Sequence, residues 1–205
     1  MKESRVYGIL CVAAAAGLVL FALGAAPAGK AKPAAKGNAE LIERGRYLVA
    51  TSACDDCHTP KKFGPNGEMQ LDMTRRLAGY VDTKQKLQQP PPMGAWPVHA
   101  NAELTAWAGP WGISFPRNLT PDTNTGIGSW SEETFIKAIR TGKHMGVSRP
   151  ILPPMPWEVY RQMTDRDLKA IYAYLRTIPA ISNATPEPVP PPVMAVAPKT
   201  APKKK

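Results

Sequence analysis

Residues 54–58 read Cys-Asp-Asp-Cys-His, two cysteines two residues apart with a histidine directly after the second. The 205-residue chain has three cysteines and three histidines, so one pentapeptide gathers half of its thiols and imidazoles. The use of that cluster depends on the compartment. Lys2 and Arg5 precede an uncharged stretch, residues 6–29, that closes on small residues. This is the pattern of an export signal, and Ala26-Pro27-Ala28 fits small-x-small cleavage. The apolar run is also long enough to cross a bilayer. Residues 1–28 are therefore expected to be a removed signal peptide or a retained N-terminal membrane anchor, placing the rest in the periplasm or on the outer face of the inner membrane. Cys11 falls early in the apolar run and reads as one of its apolar residues, which leaves Cys54 and Cys57.

Charge removes one class of partner. The net charge is +10, yet residues 37–185 hold 17 Lys and Arg against 14 Asp and Glu, a net of +3. The excess lies on the flanks, in the linker lysines Lys30, Lys32 and Lys36 and in a lysine-ended tail. A nucleic-acid binder needs its basic face on the folded body, so no nucleic-acid partner is expected. The 23 prolines point to long irregular stretches.

In an exported chain, Cys-x-x-Cys is a disulfide, a redox dithiol, half a zinc site or a haem attachment. Zinc needs four ligands, no second cysteine pair exists, and His99 and His144 lie in unrelated contexts. A redox dithiol belongs in a βαβ unit at the start of a helix that follows a strand, whereas the residues before Cys54 read as helix. The adjacent histidine decides for covalent haem. Two thiols form thioethers to the haem vinyls and the next residue, His58, places its imidazole on the iron. One motif predicts one haem c.

The second axial ligand is sought among His99, His144 and the methionines Met69, Met73, Met93, Met145, Met155, Met163 and Met194. Met155 stands out because Pro153, Pro154 and Pro156 flank it in ILPPMPW and fix the backbone. A weak thioether bond needs its sulfur positioned in advance. Met145 and His144, in TGKHMGVSRP, are the competitors.

Three amphipathic helices are predicted around these ligands. The first covers residues 39–53, with Leu41, Ile42, Gly45, Leu48 and Val49 on one stripe. The second lies in SWSEETFIKAIRTG, capped by Ser131 and ended by Gly142. The third, in MTDRDLKAIYAYLRTIP, has Thr164 as cap, Asp167 as capping-box partner, a buried stripe of Leu168, Ile171, Tyr172 and Leu175, and Pro179 as its stop.

The order helix, CDDCHTP, irregular stretch, helix, ILPPMPW, helix resembles a class I c-type cytochrome. FPRNLTPDTNTGIGSWSEETFIKAIRTGKHMG with LPPMPW and TDRDLKAIYAYLRTIP resembles the haem domains of cytochrome c subunits of membrane-bound alcohol and gluconate dehydrogenases. The resemblance spans residues 38–182 and implies an all-α class I cytochrome c fold, three main helices around one covalent haem. His58 falls on that family's proximal ligand and Met155 on its distal one. The resemblance also implies that the first and last helices cross through Gly45 and Tyr47 against Tyr172 and Leu175, and that the Pro65 carbonyl, or that of Pro60, accepts the His58 imidazole proton. Residues 61–118 form an insert rich in Pro, Gly and Trp. Its Trp96, Trp107 and Trp111 read as local packing, or as a lid over the haem edge or a docking surface. Related subunits often carry several attachment motifs, and this sequence carries one.

These expectations divide the chain into residues 1–28, a basic linker at 29–37, the cytochrome domain at 38–182 and a Pro-rich, lysine-ended tail at 183–205, read as extended and solvated or as a tether. The predicted function is a single-electron carrier, autonomous or as a subunit of a dehydrogenase complex, and not an enzyme. Its donor would be a dehydrogenase or quinol-linked complex and its acceptor a later cytochrome or oxidase. Arg117, Asn118 and Trp130 are candidate haem-propionate contacts. The alternative is a haem sensor or peroxidase-like enzyme whose distal ligand is labile.

Overall fold

The computed structural model describes residues 33–81 and 95–191. The export segment, Met93, Met194 and the lysine-ended part of the tail lie outside the described residues. Helix α1 (Pro33–Thr51) and helix α5 (Asp165–Leu175) cross and form the most extensive contact between elements. Gly45 allows it. A Cβ built there would lie 1.8 Å from the Ala170 carbonyl oxygen and 2.7 Å from Tyr174 Cβ. The expected stripe of α1 holds, with Gly45, Leu48 and Val49 buried and Leu41 and Ile42 packed against the core.

The crossing differs from expectation in two residues. Tyr47 is 52 % exposed beneath the Arg44 guanidinium and takes no part in it. On α5 the close approach is made by Ala170 and Tyr174, both buried, whereas Tyr172 turns toward Phe135 and donates its hydroxyl to the Trp130 carbonyl at 2.6 Å. Arg44 Nε on α1 donates to the Asp167 carboxylate at 2.9 Å and ties the crossing at its edge. Helix α1 also starts at Pro33, inside the segment expected to be a linker. Proline is pre-organised for a first turn and the alanines that follow are strong helix formers.

The caps of the other helices follow the sequence. Helix α3 (Glu132–Thr141) begins with Ser131 Oγ accepting the Thr134 amide and ends on Gly142 at φ 64°. Helix α5 begins with Thr164 accepting the Asp167 amide. Two shorter α-helices lie among the described residues, α2 (Cys54–His58) and α4 (Trp157–Tyr160). The core joins Leu48, Val49, Leu77, Phe135, Leu168 and Leu175.

The all-α expectation and the irregular insert need correction. The antiparallel hairpin of β1 (Lys61–Phe63) and β2 (Met69–Leu71) turns at Gly67, φ 82°. An antiparallel three-stranded sheet follows, made of β3 (His99–Ala100), β4 (Trp107–Gly109) and β5 (Gly112–Ser114). Strands of two or three residues are too short to show a period-two pattern, which is why the sequence reads as loop. Trp107 Nε1 donates to the Leu104 carbonyl and Trp111 Nε1 to Ser114 Oγ. Both indoles are engaged within the insert. Trp96 is 79 % exposed.

The tail expectation changes too. Residues 181–189 fold back as a strap onto the body. Val189 and Ile113 exchange two backbone hydrogen bonds. Asn183 Nδ2 donates to the carbonyls of Ala78 and Tyr80 at 2.7 and 2.8 Å. The folded body therefore extends past residue 182.

Candidate functional site

Between α1 and α2, Ala53 adopts φ 56° in the left-handed region, which ends one helix and redirects the chain into the motif. The Asp55 carboxylate accepts from Arg76 at 2.9 Å (Nε) and 2.7 Å (Nη2) and from Thr59 Oγ1 at 2.7 Å. Arg76 Nη1 in turn donates to the Tyr174 hydroxyl at 2.6 Å. One of the two spacer aspartates thus anchors the motif to α5 through a bidentate pair. Asp56 is exposed, and its carbonyl accepts from Lys61 Nζ.

His58 is 8 % exposed and its Nδ1 lies 2.7 Å from the Arg117 carbonyl oxygen. A carbonyl only accepts, so Nδ1 carries the proton and Nε2 keeps its lone pair. Burial pushes the imidazole pKa below its ordinary value, against the Arg117 bond, and keeps the ring in the neutral, metal-binding form. The expected acceptors were Pro65, with Pro60 as second choice. Pro65 sits exposed at the turn of the β1–β2 hairpin, while the Pro60 carbonyl accepts the Asp72 amide.

Both cysteine thiols are free and half-buried. Burial, then the neighbouring Asp55 charge, pushes the Cys54 thiol up to about 12, and burial also raises Cys57. A dithiol oxidoreductase needs the reverse, a thiolate stabilised near neutral pH.

Cys54, Cys57, His58 and Met155 all line one cavity of about 410 Å³. Its apolar wall includes Ile127, Phe135 and Ile139. The loop bearing Met155 is held from several sides. Ser114 Oγ donates to the Pro153 carbonyl, the Ile151 amide donates to the Gly142 carbonyl at 2.8 Å, and the Trp157 ring lies where a Cβ on Gly142 would be. The β5 strand of the insert thus supports this loop. None of Trp96, Trp107 and Trp111 lines the cavity, which speaks against a lid.

The competing ligands line the same cavity. Met145 is 44 % exposed at φ 53°. His144 Nδ1 lies 3.3 Å from Ser148 Oγ, and its ring stands edge-on to Trp130. His99, on β3, is not among the lining residues. Of the expected propionate contacts, Arg117, Asn118 and Trp130 all line the cavity. The Asn118 side chain, 2 % exposed, is committed elsewhere: Nδ2 donates to the Ile181 carbonyl and Thr125 Oγ1, and Oδ1 accepts from the amide and hydroxyl of Thr120. Asn118 is a structural latch. Sequence reasoning missed Thr185, whose buried hydroxyl has no partner among the described residues and which lines the cavity.

A family model described as cytochrome c matches residues 42–179, more than half of the chain. The chain belongs to the cytochrome c family. It is 29% identical over 163 residues to the cytochrome c subunit of the alcohol dehydrogenase (quinone) of Gluconobacter oxydans, covering 80% of this chain and 25% of that protein. It is 31% identical over 137 residues to the gluconate 2-dehydrogenase cytochrome c subunit of Pantoea cypripedii, 67% of this chain and 23% of that one. With the fructose dehydrogenase cytochrome subunit of Gluconobacter japonicus it shares 30% identity over 136 residues, 66% and 21%. This cytochrome spans about a fifth to a quarter of the length of these relatives. Family membership makes it a haem-bearing electron-transfer protein. The residues present fit a haem c. Two thiols, a lone-pair nitrogen and a thioether share a cavity of cofactor size, together with a Thr185 hydroxyl that has no partner among the described residues. Among the described residues no helix is long and apolar enough to cross a membrane.

Proposed function

We propose that this cytochrome is a mono-haem electron carrier in which Cys54 and Cys57 attach the haem and His58 and Met155 ligate its iron. The observation that carries the proposal is the single cavity lined by all four side chains, with the His58 Nδ1 proton fixed on the Arg117 carbonyl. A haem so ligated supplies a one-electron couple with no vacant coordination position. The protein supplies the rest. The Arg117 carbonyl orients the imidazole and raises its donor strength. Ser114, Gly142 and Trp157 hold the methionine loop in place. Ile127, Phe135 and Ile139 exclude water from the cavity and favour the less charged, reduced state. Arg117 and Trp130 remain the proposed propionate contacts.

The relatives, cytochrome subunits of alcohol, gluconate and fructose dehydrogenases, support a dehydrogenase as electron donor. The proposed acceptor is a later cytochrome or an oxidase. The export pattern of residues 1–28 supports a periplasmic site or the outer face of the inner membrane, with the segment removed or kept as an anchor. The test is spectroscopic. Exported protein should carry the mass of one haem, and its ferric form should show the thioether-to-iron charge-transfer band and resist cyanide. A ferric form that lacks the band and binds cyanide readily would support the sensor or peroxidase reading instead.

A further inference from the structure

We infer that residues 181–189 are a positioning strap for the axial histidine, acting through Arg117. The inference rests on the proposed His58 ligation and adds a determinant of its strength. Arg117 faces both ways. Its carbonyl receives the His58 Nδ1 proton at 2.7 Å, while its guanidinium Nη1 donates to the strap carbonyls of Thr185 and Pro186 at 3.0 and 3.1 Å. Glu187 of the strap adds ion pairs to Arg117 at 3.2 Å and to Arg149 at 3.0 Å.

The segment bearing Arg117 is held from its other side as well. The Tyr80 amide donates to the Pro116 carbonyl at 3.0 Å and the Leu119 amide to the Leu77 carbonyl at 2.9 Å. The strap reaches this second layer through Asn183, whose side chain donates to Ala78 and Tyr80 and whose amide donates to Thr125 Oγ1. At the far end a Cβ on Gly112 would fall 2.0 Å from the Val189 carbonyl, so the strap sits closely on β5. Residues 116–119 therefore lie between two backbone layers that Asn183 clamps together, and release of the strap frees the carbonyl on which the imidazole depends.

Hydrogen-bond strength falls steeply with distance and angle. A stronger Nδ1–H bond makes the imidazole a better donor and favours the ferric state, so a loosened strap raises the reduction potential. The positioning residues are Asn183 and Glu187, neither of which lines the cavity.

The experiment uses the full-length holoprotein and two variants. Asn183→Ala removes the clamp with no change of charge. Glu187→Gln alters a side chain that is 68 % exposed, where substitution is expected to leave the folded body intact. Redox titration and the solvent exchange of the His58 ring N–H proton are the readouts. In Asn183→Ala we expect the ratio of reduced to oxidised protein at a fixed poise to rise about tenfold, which is 59 mV for a one-electron couple. We expect faster ring-proton exchange in both variants. The Glu187 charge itself moves the potential, so ring-proton exchange decides for that variant. Variants with lowered melting temperature but unmoved potential and exchange overturn the strap, leaving it a structural brace. A wild-type spectrum without a His58-ligated haem overturns the underlying assignment and the strap with it; an intact wild-type spectrum with unmoved variants overturns the strap alone.

Discussion

Gly45→Ala and Gly37→Ala are the same substitution in the same helix, and they are expected to act with opposite sign. At Gly45 a Cβ would stand 1.8 Å from the Ala170 carbonyl oxygen, 2.5 Å from its carbon and 2.7 Å from Tyr174 Cβ. Two of these atoms are backbone and the third is the root of a side chain, so none can rotate away. Helices α1 and α5 must separate by more than an ångström. Overpacking of this kind costs about 1–3 kcal/mol. The opening also loosens Leu48, Val49, Leu168 and Ile171, where a buried side chain contributes about 1.5–3 kcal/mol. The gain in helix propensity returns about 1 kcal/mol. The net expectation is a loss of about 2–4 kcal/mol, which lowers the melting temperature of the holoprotein by about 5–15 °C. Gly37 is exposed with nothing within 4 Å of its added Cβ. There only propensity acts, and Gly37→Ala should gain about 0.5–1 kcal/mol. Thermal and denaturant unfolding followed by far-ultraviolet circular dichroism reads both. A Gly45→Ala protein as stable as wild type would refute the crossing.

Asp72→Asn tests the hairpin anchor. Asp72 is 1 % exposed, and contacts from Lys62, Thr74 and Arg75 outweigh its burial and hold its carboxyl well below the usual range. A depressed folded-state value gives stability that is present above the unfolded value of about 3.9 and is lost as pH falls below it. The variant should lose about 1–3 kcal/mol at neutral pH, with the difference from wild type shrinking below about pH 4 in denaturant titrations. Asp55→Ala and Arg76→Ala should be non-additive, with a coupling of about 0.5–3 kcal/mol in a double-mutant cycle, because one bidentate pair is lost in either variant. Met155→Ala should open the iron to cyanide and lower the potential in a redox titration. Unchanged ligation in that variant would move the assignment to Met145 or His144.

Features carried by local chemistry were legible in the sequence. Ser131, Gly142 and Thr164 cap where capping rules place them, because a cap is a contact within three or four residues. The attachment motif and the proline-fixed methionine are local in the same sense, and the structure brings both to one cavity. What escaped is long-range or carried by the backbone. The acceptor for His58 is a main-chain carbonyl 59 residues away, which any residue type supplies. A stripe narrows the face of α5 but not its rotation, so Tyr174 stands at the crossing where Tyr172 is expected. The anchoring role of Asp55 is not legible because its partner Arg76 lies 21 residues on. The strap has no periodicity, and its hold comes from single polar side chains, Asn183 above all.

Cys54, Cys57, His58 and Met155 acting together on one haem are the centre of the proposed function. Proton nuclear magnetic resonance of the reduced protein tests this most directly, since a methionine methyl group bound against the haem face is carried far upfield by the ring current. One such methyl resonance is predicted in the wild type, and it should disappear in Met155→Ala. A reduced wild-type spectrum without that resonance, or one in which it survives the substitution, would contradict the His58 and Met155 ligation.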